Sequence, residues 1–216
     1  MTDPTRYDLH IHSDFSDSSA SISEIVQEAY RRRLHTIAIA DHFWPSVGSR
    51  KAGEKFIQER RRLIVDFRRE YDFRILEAAE VDIQSNGSLS PVAGGLEQFD
   101  LVLGSFHFSC DSTLWASILE RAVSKKQFNI LSHWDAYLTR YREEDGIRAA
   151  KALSENNVAV DLNPRYETSF PRFFEIARDE GCLFSLGSDA HSTRNIGRLD
   201  DQINLVKALD LPLLQI

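Results

Sequence analysis

Cysteine is scarce in this chain: 216 residues carry only two, Cys110 and Cys182, far apart and in no CxxC pattern. That excludes a disulfide-built scaffold and a thiolate zinc motif, and it is the usage of a protein in a reducing compartment. Neither cysteine sits beside a histidine in sequence, so no thiolate nucleophile is assigned. Long apolar runs are missing as well. None approaches the ~18 residues needed to span a bilayer, and the opening MTDPTRYD is polar, without the apolar stretch of a signal peptide. A cytoplasmic protein with no membrane partner is therefore expected. Positive charge is in deficit, with 26 Lys and Arg against 33 Asp and Glu and a net charge of −7. Phosphate backbones attract clustered Lys and Arg, so stable nucleic-acid binding is not expected. A small anionic substrate stays open, because local positive charge or a metal ion suffices for it. There is no GxSxG elbow and no GxxxxGK phosphate loop, and no repeat, low-complexity tract or long linker. One domain over residues 1–216 is expected, large enough for a real core.

What the chain does have is alternation. The short apolar runs TIAIAD (36–41), RILEAAEVD (74–82), LVLGSFH (101–107), NILSHWD (129–135), AVDLN (159–163) and LFSLGSDAH (183–191) read as buried strands, and a short strand opens the chain around DLHIH. Amphipathic segments lie between them. SISEIVQEAYRRRL (21–34) spaces Ile22, Ile25, Val26, Ala29 and Tyr30 as on one helix face, and Ser21 with Glu24 predicts a capping box. Residues 54–71, 146–157, 171–181 and 199–211 also predict helices, Gly181 marking a helix stop. The arginine runs 31–33 and 60–62 read as solvated helix faces. Strand then helix, repeated about seven times, means parallel strands with crossovers. Periodicity does not separate an open doubly wound sheet from a closed barrel. The strand ends favour the barrel: Asp41-His42, Glu80, His107, His133-Asp135 and Asp189-His191 all stand there, and a barrel gathers such groups at one mouth.

Of the seven histidines, only His35 stands away from the strand ends, and a capping or surface role suits it. His10 and His12 alternate with Ile11, so both imidazoles face one side of the strand while Ile11 packs on the other. Two imidazoles so placed can grip one cation at roughly 2.0–2.1 Å; a chance pair on a solvated edge is the plain alternative. Glu80 ends an apolar run, where an unpaired carboxylate is costly; bridging two cations or pairing with an arginine would resolve it. Asp189 and His191 repeat the alternation. Asp41 and His42 are adjacent, so only one should point inward on a regular strand. His107 and His133 taken singly read as core imidazoles, and only the company of the others promotes them.

In chain order, DLHIHSDFSDSS, IAIADH, the glutamate of AAEVDI, GSFH, LSHWD, VDLNPR and GSDAHS resemble the motif set of the PHP family, the polymerase-and-histidinol-phosphatase metallophosphoesterases. The resemblance runs over nearly the whole chain. It implies an α/β fold, a distorted (β/α)7 barrel with a trinuclear metal site at the carboxyl ends of the strands. Carried over motif by motif, it implies one metal on His10, His12, Glu80 and Asp189. A second would sit on Glu80, His107 and His133, with Glu80 bridging, and a third on Asp17, His42 and His191. This chain has FSDS, with Ser18 where the family commonly has glycine, and Asp14 competes with Asp17 for the ligand position. The ions implied are three of Zn, Mn or Fe.

Such a cluster implies phosphate ester hydrolysis by a metal-activated hydroxide, with the cations neutralising charge in the transition state. Arg165, in DLNPR, is the first candidate for holding substrate phosphate because a planar guanidinium matches its oxygens; an exposed arginine is the plain alternative. Arg194 and Arg198 are further candidates. Asn163 suits loop fixing, and His191 or Asp17 could protonate the leaving group. Trp44, Phe106, Phe108, Trp134 and Tyr166 follow the ligand-bearing strands and form either a pocket wall or core. The activity expected is that of a phosphatase on a small phosphomonoester, of the histidinol phosphate or nucleotide type. A 3′–5′ exonuclease and a non-catalytic metal-binding protein are the alternatives.

Overall fold

Runs of Ile, Val and small Ala side chains make the staves, and polar helices cover them. The computed structural model describes residues 5–216. Its elements in order are β1 (Tyr7–Ile11), α1 (Ile22–Arg31), β2 (Thr36–His42), α2 (Glu54–Glu70), β3 (Arg74–Asp82), β4 (Leu101–Ser105), β5 (Cys110–Asp111), α3 (Ser112–Val123), β6 (Ile130–Leu131), β7 (Leu138–Arg140), α4 (Glu143–Glu155), β8 (Ala159–Leu162), α5 (Arg172–Asp179), β9 (Phe184–Leu186), a short 3₁₀ turn (Thr193–Asn195) and α6 (Asp200–Leu209). Seven strands form one sheet in the order β1-β2-β3-β4-β6-β8-β9, every neighbouring pair parallel. A bridge from Ile11 to Ala190 joins its two edges, and His12 N–H donates to the Ala190 carbonyl at 3.0 Å. The result is a nearly closed barrel, as expected.

Four departures have local causes. Between β3 and β4 no helix forms; residues 83–100 instead make turns and an antiparallel bridge from Ile83 to Leu89. Helix α3 is an addition to the expected set. Its N-cap Asp111 accepts from Leu114 N–H at 2.9 Å, and seven of its residues are buried, so it carries little of the polar face that marks a helix in sequence. β6 and β9 are shorter than their apolar runs because the chain leaves strand geometry early, turning to positive φ at His133 (24°) and Asp189 (49°). β5 and β7 pair as a small separate sheet.

Helix α1 buries Ile22, Ile25, Val26 and Ala29, and its capping box forms. Such a cap stabilises by about 1 kcal/mol. Tyr30, expected on the same apolar face, is 63% exposed. The arginine run of α2 is not a solvated face throughout. Arg60 is fully buried: its Nε donates to Asp41 at 2.6 Å, its Nη2 to the carbonyls of Ile39 and Ala78, and its guanidinium lies over Phe43. Among the described residues no helix is long and apolar enough to cross a membrane.

Candidate metal centre

Strand alternation places His10 and His12 together as expected, with Ile11 buried on the opposite side. Their Nε2 atoms are 3.0 Å apart. Glu80, at the end of β3, brings Oε2 to 3.0 Å from His10 Nε2 and 3.2 Å from His12 Nε2. Asp189 Oδ1 lies 3.2 Å from His12 Nε2 and 3.9 Å from His10 Nε2. Ligands held at 2.0–2.1 Å around a tetrahedral cation sit about 3.3 Å from one another; these five distances bracket that spacing, and His10, His12 and Asp189 form one mutually close group. The other oxygen of Glu80 turns elsewhere. Oε1 is 2.9 Å from His133 Nε2 and 4.0 Å from His107 Nε2, and Ser105 Oγ donates to it. One carboxylate thus faces two donor clusters.

The third cluster forms beside the first. Asp17 Oδ2 is 3.1 Å from His191 Nε2 and 3.9 Å from His42 Nε2, while Asp17 Oδ1 is 3.7 Å from His12 Nδ1. His42 Nε2 also lies 3.5 Å from Glu80 Oε2, so the groups around His12, His42, Asp17 and Glu80 adjoin without a break. Asp17, His42, Glu80, His107, His133, Arg165, Asp189 and His191 line one cavity of about 190 Å³. All nine expected ligands and Arg165 are therefore brought together.

Supporting groups set the tautomers. His191 Nδ1 meets both the Asp189 carbonyl at 2.9 Å and the Arg165 guanidinium at 2.6 Å. His10 Nδ1 donates to Asp161 at 3.0 Å and His107 Nδ1 to Asp82 at 2.7 Å. Each such bond leaves the Nε2 lone pair facing the cluster, the arrangement a metal-bound imidazole adopts. Buried nitrogens without a hydrogen-bond partner are concentrated here as well: Nδ1 of His12, His42 and His133. A donor set of imidazoles and carboxylates, closely spaced and poorly satisfied by protein alone, fits divalent cations.

The electrostatics agree. Burial works against the charged form of every group here. The carboxylates of Glu80, Asp189 and Asp161 overcome it at His10 and hold that imidazole well above its usual value. Hydrogen bonds that His12 donates to Asp189 and Glu80 outweigh its burial and carry it to about 9. Glu80, Asp17 and Asp189 are held low by the surrounding imidazoles despite burial. His42 is the exception, pushed by burial down to about 4. Without a cation, protons on imidazole supply the positive charge that the carboxylates demand.

Several expected residues lie elsewhere. Asp14 is exposed, so Asp17 is the carboxylate that reaches the cavity. Of the adjacent pair, His42 points inward and Asp41 accepts from Ser13, Ser16 and Arg60. Asp135 accepts from the N–H groups of Ser169 and Phe170. Phe106 and Trp134 are core, Trp44 is exposed, and only Tyr166 of the five aromatics lines the cavity. Asn163 donates to Asp161 and Asp189, as a loop-fixing residue should. Asp82, Asp161 and Tyr137 were not anticipated. Asp82 stands two residues after Glu80, on its face of the strand, and Asp161 is an acid inside the apolar run AVDL; both signals were present in the chain.

A family model described as "PHP domain" matches residues 8–165. The chain is 28% identical over 203 residues to the DNA polymerase/3′-5′ exonuclease PolX of Bacillus subtilis; the match covers 90% of this chain and spans only 35% of that protein. A probable phosphatase of Thermoanaerobacter sp. is 25% identical over 212 residues, covering 93% of this chain and 84% of the relative. Among solved structures, a histidinol phosphate phosphatase of Lactococcus lactis, complexed with zinc, L-histidinol and phosphate, superposes with a TM-score of 0.72 at 18% identity, over 97% of this chain and 95% of that one.

Proposed function

The chain belongs to the PHP domain family, and from that premise we propose that it is a metal-dependent phosphoesterase hydrolysing a small phosphomonoester, of the histidinol phosphate or nucleotide type, in the cytoplasm. The observation that carries the reading is Glu80, whose two oxygens face separate donor clusters on one cavity. In this reading His10, His12, Glu80 and Asp189 hold one cation, Glu80, His107 and His133 a second, and Asp17, His42 and His191 a third. The ions would be Zn, Mn or Fe. When bound, they supply a water of lowered pKa and positive charge against the phosphate oxygens.

The chain's own residues do the rest. Arg165 stands at the cavity edge, 39% exposed, where its guanidinium meets His191 Nδ1 at 2.6 Å and Asp189 Oδ2 at 3.8 Å; the N–H groups left over are the ones a phosphate would engage. Tyr166 and Tyr137 wall the cavity beside His133 and His107 and keep bulk water from that side. Asp161 and Asp82 keep a proton on Nδ1 of His10 and His107, so the opposite nitrogens stay available. Asp17 is held as a carboxylate, a state suited to gripping a cation or taking a proton rather than donating one. His191, with Nε2 on the third cation in this reading and Nδ1 engaged by Arg165 and the Asp189 carbonyl, has no proton facing the cavity, so neither residue is assigned the leaving-group proton.

A phosphate-release screen over sugar phosphates, nucleotides, histidinol phosphate and phosphoserine tests the reading, with Mn and Zn supplied separately and metal content measured. Turnover of at least one monoester, abolished by chelation, is the expected result. Bound metal without turnover across the panel would leave a non-catalytic metal protein. The PolX relative makes the exonuclease the second reading; release of nucleotides from single-stranded DNA, with none of phosphate from monoesters, would establish it instead.

A further inference from the structure

A second cleft, of about 320 Å³, opens beside the metal cavity and is lined by Pro164, Arg165, Ser188, Asp189, Asn195 and Arg198. Arg165 and Asp189 belong to both linings, so a molecule held at the metal cavity has this cleft as a neighbour. Its only acidic lining residue, Asp189, is committed to His10, His12 and His191 and lies 3.8 Å from Arg165, which leaves Arg198 as the fully uncompensated charge. Against it stand two arginines. Arg198 has no carboxylate partner among the described residues, in a chain where acids outnumber bases.

The cleft is also built rather than draped. Buried Asp8 accepts from Ser188 N–H at 2.9 Å and from Gly197 N–H at 2.8 Å. One carboxylate thereby ties both walls to β1. Ile196 and Leu199, on either side of Gly197-Arg198, are buried anchors. The Arg198 backbone is fixed while its side chain stays exposed, so the guanidinium is tethered at the cleft it lines.

We infer that the cleft between Arg165 and Arg198 receives a second anionic group of the substrate, so that the preferred phosphomonoesters carry a phosphate or carboxylate on the leaving group rather than an amine. This rests on the phosphomonoesterase reading above and narrows its substrate class. An amine entering the cleft would meet two guanidinium groups and no free carboxylate.

The test uses the metal-loaded full chain and compares kcat/KM within matched pairs. Fructose 1,6-bisphosphate against fructose 6-phosphate reads a second phosphate; 3-phosphoglycerate against glycerol 3-phosphate reads a carboxylate; histidinol phosphate supplies the cationic case. At least one anionic partner is expected to lead its pair by about tenfold or more, the scale of a charge-assisted hydrogen bond. The arm that leads names the anion. Arg198→Gln is expected to bring that ratio toward one, and Arg198→Glu, on a fold checked by metal content and unfolding midpoint, to invert it. No preference in either arm, a preference for histidinol phosphate, or a ratio unmoved by both substitutions overturns the inference while leaving the hydrolase reading intact. If no monoester is hydrolysed at all, both fall.

Discussion

At the scale of single residues, the centre is a set of side chains that make sense only together. His107 and His133 would each pass for a core imidazole; two imidazole nitrogens 3.0 Å apart, with carboxylate oxygens of Glu80 and Asp189 at 3.0–3.9 Å from them, do not pass for a core cluster. Removing one ligand should therefore empty more than its own site. His10→Ala and Asp189→Ala are each expected to lose most bound metal and most activity, whereas His35→Ala, whose ring meets Thr36 and Tyr7 away from the cavity, should stay within about twofold of the parent; metal analysis beside phosphate release checks all three. Gly48 makes a sharper probe. It sits at φ 84°, and a Cβ there would come within 2.3 Å of His42 Cδ2 and 3.0 Å of Asp17 Oδ2. Gly48→Ala should displace two of the three ligands of the third cation, so that metal titration shows one equivalent fewer while the Glu80 clusters still fill. An unchanged stoichiometry would remove His42 and Asp17 from the ligand set. The ligands were legible because each stands at a strand end as a residue type that apolar surroundings tolerate poorly. Gly48 was not, because its role depends on where a loop folds back, and no local pattern encodes that.

At the scale of elements, the strands do two jobs: they close the barrel and then break off to aim their last side chains. β6 and β9 stop after two and three residues, and the positive φ of His133 and Asp189 follows. Strained backbone of this kind concentrates at functional sites. Alternation correctly paired His10 with His12. The same rule put Asp189 and His191 on one face for the wrong reason, since at Asp189 the chain has left the strand. Helix α2 teaches the complementary lesson. A charged run such as ERRRL reads as solvent-facing, yet Arg60 enters the wall and neutralises Asp41, which in turn accepts from Ser13 N–H and holds the loop leading to Asp17. Arg60→Met should cost about 3–5 kcal/mol, because it strands a buried carboxylate. The accompanying change Asp41→Asn should recover part of that loss, as read from urea midpoints of the single and double variants. An Asp41→Asn effect that is the same with and without Arg60 would mean that the pair is not coupled.

At the scale of the whole molecule, the metal-free protein carries a charge pattern that protons must complete, and its stability should follow pH accordingly. His12 holds its proton up to about 9 in the fold, against 6.5 in the unfolded chain. Its contribution is therefore full below pH 6.5 and drains away as pH rises toward 9; His10, also raised, acts in the same direction. His42 works oppositely. With its value down at about 4, the unfolded chain takes up that proton first, so stability falls as pH drops from 6.5 toward 4. The lowered carboxylates of Glu80, Asp17 and Asp189 add to the loss below their unfolded values of about 4. The chelated protein is thus expected to be most stable near pH 6.5 and to weaken on both sides. Divalent cations change one side only. They replace the protons on His10 and His12, binding more tightly as those protons become easier to remove, so the alkaline decline should vanish in zinc while the acid decline persists. Unfolding midpoints from pH 4 to 9, in chelator and in zinc, decide the matter. A chelated protein that grows steadily more stable between pH 6.5 and 9 would show that the imidazoles do not stand in for the cations.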